Sequence, residues 1–256
     1  MRITEKIWSR YIDSLRNISD KAAGRVQNII LLNKGPWEAK TAAEKQVMIE
    51  AAYAVATGYG EAAATLACEF YDAIVEASGL ALPAAEPAAT ATIEEVAMAI
   101  NGTAGKAEQV TASAIGRLVK LAGVDTTLKN AIRDKAQFAW VPHGDTCAFC
   151  IALASRGWQD AKPEALKGGH ASHVHSNCDC TYAVRFSEAD SVQGYNPEEY
   201  AEQYYGAPGA SSAERINTMR REFYADNKRR INAQKRSAYA KRQERNASAA
   251  EEEDVS

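Results

Sequence analysis

The sequence predicts a mainly α protein: an N-terminal helical bundle, a small α+β module clamped by a metal on Cys and His ligands, and a long C-terminal helix. Three observations lead there. Apolar residues recur with helical period through most of the first 136 residues. Four of the five cysteines and all four histidines fall between His143 and Cys180. A basic run interleaved with aromatics follows the break at Pro208-Gly209. The expected division is therefore 1–136 helical, 137–186 Cys/His-rich, and 187–256 a helical basic arm with an acidic, disordered tip.

The first helix is read from Trp8, Tyr11, Ile12 and Leu15, which share one face at i, i+3, i+4 and i+7 beside Arg10, Asp13 and Arg16. Asn33-Lys34-Gly35-Pro36 stops it. Thr41 with Glu44 three residues on is a capping-box signature, and the helix it opens runs to Ser78-Gly79. This helix is alanine-rich from Ala51 to Ala67, so small side chains allow close approach and place it at the centre of the bundle. Gly58 and Gly60 lower its propensity and mark a place for a kink. Pro83 and Pro87 make 80–91 a loop. Shorter helices are expected at 92–101, 106–122 and 125–137, the last with Asp125 or Thr126 as N-cap. Gln137–Val141 and Thr181–Phe186 read as strands, the second with Tyr182, Val184 and Phe186 on one face. A short helix near 197–205 precedes the final helix at 211–246.

Composition narrows the function. The chain has 256 residues, 46% hydrophobic and 25% charged, which excludes wholesale disorder. No run approaches 18 uninterrupted apolar residues, so no membrane partner is expected. The mixed-charge start Met1–Trp8 has no apolar signal core, and a Sec leader is not expected. In that setting a cluster of thiols points to a metal before a disulfide framework.

Cys147 and Cys150 have the two-residue spacing that lets both thiolates reach one tetrahedral ion. After a 27-residue gap come Cys178 and Cys180, with His175 just before them. Zinc, in a structural role, fits Cys147, Cys150 and His175 with one of Cys178 and Cys180, or all four thiols. Either set requires strands 137–141 and 181–186 to lie side by side. The competing readings are a reduced core, with these cysteines on inner faces, and a disulfide between the two pairs.

Trp140-Val141-Pro142, Asp145-Thr146-Cys147-Ala148-Phe149-Cys150, Leu153-Ala154-Ser155-Arg156-Gly157 and His175-Ser176-Asn177-Cys178-Asp179-Cys180 together resemble the MuF-like minor head proteins of tailed phages. Their pattern is a C-x-x-C segment, a glycine-ended helix and an H-P-x-C-R-C closure. Ser176 stands here for the proline and Asp179 for the arginine, with His175, Cys178 and Cys180 kept. Phe70-Tyr71-Asp72 and Asn130-Ala131-Ile132-Arg133-Asp134 resemble actinophage-type members. The resemblance covers roughly 1–186, most specifically 130–186. It implies a non-enzymatic minor capsid protein of the virion head, acting in head morphogenesis beside the portal protein and the major capsid protein, and present in the host cytoplasm during assembly.

Enzymes fare less well. A zinc deaminase needs His-x-Glu, and no histidine here is followed two residues later by glutamate. The better alternative is an HNH-like His-metal nuclease, with His173, His175 and Asn177 on one short segment beside a structural zinc. It lacks an evident carboxylate partner except Asp179. A disulfide oxidoreductase would need a βαβ setting around Cys147-Ala148-Phe149-Cys150, and the preceding sequence is helical.

The arm carries eleven basic against four acidic residues over 214–245, in a chain whose net charge is −3. Ile216, Met219 and Phe223 form one stripe that docks on a partner helix or on the chain's own body. Arg220, Arg221, Lys228, Arg229 and Arg230 line the other sides and suit phosphate contact with viral DNA, or acidic protein surface. Glu251–Asp254 would repel phosphate.

Overall fold

The computed structural model describes residues 1–33, 35–144, 146–164, 180–229 and 232–233. The first helix, α1 (Glu5–Leu32), is capped by Thr4 and buries the expected Trp8, Tyr11, Ile12 and Leu15, then Ser19, Ala22 and Val26. A 3-10 turn at Trp37–Ala39 leads to α2 (Ala42–Ala77). Its predicted capping box is present: Glu44 N–H donates to Thr41 Oγ1 at 3.2 Å, and Thr41 N–H donates to the Glu44 carboxylate at 2.7 Å. The helix runs unbroken through both glycines. Gly60 gives room instead of a kink, since a Cβ there would stand 3.0 Å from the Thr90 methyl.

After α3 (Ile93–Thr103) the expected pair of helices is one, α4 (Glu108–Arg133). Gly123 does not stop it. A Cβ at Gly123 would stand 3.1 Å from both the Ala63 carbonyl oxygen and Leu15 Cδ1, so the glycine lets α1 and α2 close on α4. Asp125 and Thr126 are therefore mid-helix residues and not N-caps. The centre of the bundle is likewise α4 and not α2, because α4 packs on α1, α2, α3 and two strands. Its buried residues, among them Thr111, Lys120, Thr127 and Asn130, surround the helix, which is why its sequence shows no clean apolar stripe.

The predicted loop between α2 and α3 is held by side chains of α2 and α4. Ala85 N–H donates to Asp72 Oδ1 and Ala88 N–H to Thr126 Oγ1, while Asn130 bonds both backbone groups of Glu86. Arg133 donates to the carbonyls of Pro83 and Ala84. An extended segment with no ladder of its own thus has its backbone polar groups answered by α4.

The strands are few. The outermost pair joins β1 (Arg2–Ile3) in parallel to β5 (Ser191–Val192), and the Met1 amino group pairs with Asp190 beside it. The main sheet has the order β3-β2-β4, with β2 at Gln137–Val141, β3 at Gln159–Asp160 and β4 at Thr181–Arg185, all antiparallel. Both predicted strands are present and lie side by side as required. Across them Tyr182 sits between Phe138 and Trp140, with ring centroids 5.1 and 4.8 Å away in edge-to-face geometry. One face of this sheet covers Tyr71 and Val75 of α2 and Val124 and Leu128 of α4 in a single apolar cluster. Between β2 and β3 lies α5 (Ala148–Ala154); beyond β5 come α6 (Pro197–Gly206) and the described part of the arm, α7 at 212–229.

The glycine assignments give a paired test. Gly123→Val should cost about 1–3 kcal/mol by overpacking. Gly58→Ala, where a Cβ meets nothing within 4 Å, should gain up to about 1 kcal/mol from helix propensity. Urea denaturation of both variants reads the opposite signs, and equal effects would contradict the packing described.

Candidate metal centre

Val141 ends β2 and Thr181 begins β4, and the two are register partners. The chain leaving β2 and the chain reaching β4 therefore meet at one end of the sheet. Cys180 adjoins Thr181, and Cys147 follows Val141 by six positions in sequence. Cys147 is the N-cap of α5, with extended backbone (φ −82°, ψ 160°), and the Cys150 N–H donates to its sulfur at 3.4 Å. The sulfur thus accepts from an amide at the start of the helix.

Cys150 and Cys180 are both buried in the cluster that contains Trp140 and Tyr182, and Cys147 packs half-buried against it. Three of the five predicted ligands thus lie on one apolar cluster, with α5 and β4 bringing them there. Among the described residues no disulfide joins Cys68, Cys147, Cys150 and Cys180 to one another. Among the described residues no group of three His, Cys, Asp or Glu side chains could hold a metal ion. The other two predicted ligands, His175 and Cys178, lie outside the described residues, as do Asp145, His170, His173, Asn177 and Asp179. The nuclease alternative rests wholly on that same segment. The described donors are three sulfurs, the atom type zinc prefers, on one apolar cluster, but they are not grouped so as to hold an ion by themselves.

A family model described as VG15 protein matches residues 2–207. The chain belongs to the VG15 protein family. This is a viral protein family. No curated protein and no solved structure matches it. The match opens on β1 and ends just beyond α6, so the VG15 region takes in the helices, both sheets and α5, and the basic arm starts after it.

Within the VG15 region, the segments around Tyr71 and Asn130–Asp134 have structural work. Tyr71 O–H donates to Asp134 at 2.9 Å, and Arg133 grips both oxygens of the same carboxylate at 2.8 Å. Burial alone would raise the Asp134 pKa, but the Arg133 and Tyr71 hydrogen bonds outweigh it and hold the carboxyl below its ordinary range. This knot fastens the end of α4, and the left-handed Lys135 (φ 53°) then turns the chain into β2. These residues position the sheet.

Asp125 escaped the sequence reading, which took it for a cap. It stands mid-helix in α4, and its Oδ1 has no hydrogen-bond partner among the described residues. Burial, assisted by Glu95, pushes its carboxyl up from 3.8 to about 6. The signal that could have found it is its place two turns before Arg133 on the helix that α1, α2, α3 and two strands cover.

The Asp125 shift fixes a pH dependence. Between pH 3.8 and about 6 the folded chain binds a proton that the unfolded chain has released, so stability falls as pH rises through that window. Asp125→Asn should therefore stabilise by about 1–3 kcal/mol at pH 7.5 and scarcely at all at pH 4. Thermal melts at the two pH values check this, and an equal gain at both would contradict it.

Proposed function

We propose that this chain is a phage minor capsid protein that acts in head assembly at or near the portal, with a structural zinc closing its Cys/His segment. The observation that carries the reading is the meeting of the C-x-x-C helix and the Cys180 strand at one end of the sheet, in a chain of a viral family. Cys147, Cys150 and His175 with one of Cys178 and Cys180, or all four thiols, would hold the ion. The metal would supply folding energy to a segment with little apolar content of its own. The resemblance to MuF-like minor head proteins supplies the portal and the major capsid protein as partners and the virion head as the place.

The role is structural and not enzymatic. The arm adds an electrostatic contact: α7 presents Arg220 and Arg221 with Phe223 39% and Tyr224 69% exposed, a surface suited to the phosphates of packaged viral DNA. Such contact carries no sequence information and weakens steeply with salt.

Heads assembled with and without the portal protein test the assembly role. Portal-containing heads should hold this chain in far fewer copies than the major capsid protein, and heads assembled without portal should lack it. Equal incorporation in both would contradict the reading.

A further inference from the structure

The described part of the arm is fastened on one side and exposed on the other. Met219 of α7 is only 4% exposed, in a cluster with Ile151 and Ala152 of α5 and Tyr204 of α6, and Ile216 packs beside it. Tyr204 O–H donates to Ser212 Oγ at 2.7 Å, and Arg215 lies 5.8 and 5.7 Å from the Tyr204 and Tyr205 ring centres. Away from that seat, the spacing i, i+3, i+4, i+7, i+10 and i+11 sets Asn217, Arg220, Arg221, Tyr224, Asn227 and Lys228 on one face, and all six are exposed. Among the described residues no carboxylate pairs with Arg220, Arg221 or Lys228. Glu214, the acidic residue at the same spacing, is turned back to the amides of Ala210 and Ser211 at 2.6 and 3.2 Å. Asp226 pairs with Arg229 at 3.3 Å. Two rings flank Arg220. Tyr224 lines a shallow recess with Asn217, Arg220 and Arg221. Phe223 lines an open hollow with Arg220 and Asn227, across from Thr146 and Ala148.

We infer that this face of α7 takes single-stranded nucleic acid, with bases stacked on Tyr224 and Phe223 and phosphates held by Arg220, Arg221 and Lys228. The inference rests on the nucleic-acid reading of the arm given above and narrows it. Phosphate attraction needs no ring, and it acts on a duplex as on a single strand. A duplex keeps its base faces inside the stack, so exposed rings add binding only to a strand whose bases are free. The side-chain amides of Asn217 and Asn227 carry both donors and an acceptor, which suits base edges. An acidic protein surface engages the cations but has no need of the rings. Docking of Met219 and Ile216 on the body fixes which way the face looks before a strand arrives, so less order is lost on binding.

Fluorescence anisotropy with the full chain tests this, using one labelled DNA strand of about 20 nucleotides, alone and annealed to its complement. The basic residues that follow in sequence, from Arg230 to Arg245, attract either form, so the ratio of the two affinities is the readout. The wild type should bind the single strand about tenfold more tightly than the duplex. Tyr224→Ala and Phe223→Ala should each weaken single-strand binding about fivefold or more and change duplex binding less than about twofold, while Tyr224→Phe keeps the preference. Arg220→Ala with Arg221→Ala should weaken both forms. Equal affinity for the two forms, or ring variants that bind the single strand as wild type does, would overturn the inference and leave the phosphate reading of the arm standing. A chain that binds neither form would sink both.

Discussion

Pairing of β2 with β4 is the constraint on which the rest of the molecule depends. Two strands whose residues Val141 and Thr181 stand opposite each other must deliver the segments beyond them to one place. The pairing is held less by its hydrogen bonds than by what its inner face covers. Tyr182, wedged edge-on between Phe138 and Trp140, seals the sheet onto α2 and α4. Burial of several aromatic side chains is worth more than a short ladder whose amides would otherwise bond water. Position of the thiols is thus a by-product of where the aromatics pack.

The helix beneath that sheet does two jobs with one set of residues. Its small positions, Gly116 and Gly123, admit backbone atoms of α1 and α2 to about 3 Å of where a Cβ would be. Its polar positions, Thr126, Asn130 and Arg133, satisfy an extended strap that has no partner strand. Asp125 sits among them as a carboxyl held partly protonated by burial. A helix this enclosed must mix small, polar and apolar residues around its whole circumference. The N-terminus is drawn into the same body, since Asp190 accepts from the amides of Phe186 and Ser187 and also pairs with Met1.

Much of this was legible in the residues. The faces of α1, the capping box at Thr41, the two strands and the start of a helix after Gly209 all rest on local chemistry: side-chain period, cap donors and backbone breakers. What was not legible depended on neighbours distant in sequence. Gly123 reads as a stop unless the approach of Ala63 and Leu15 is known. Asp125 beside Thr126 reads as a cap for the same reason. The meeting of Cys147 and Cys150 with Cys180 on one cluster followed from strand pairing, while the ligand expected from His175 or Cys178 lies outside the described residues. The docking of Met219 on α5 was foreseen only as one of two choices, because an apolar stripe does not name the surface it fits.

X-ray absorption at the zinc edge, on chain purified without added metal, addresses the central claim most directly. The account requires a first shell of three or four sulfurs at about 2.3 Å, with any remaining position filled by a nitrogen at about 2.0–2.1 Å. A sample without stoichiometric zinc, or a shell of oxygen and nitrogen alone, would contradict it.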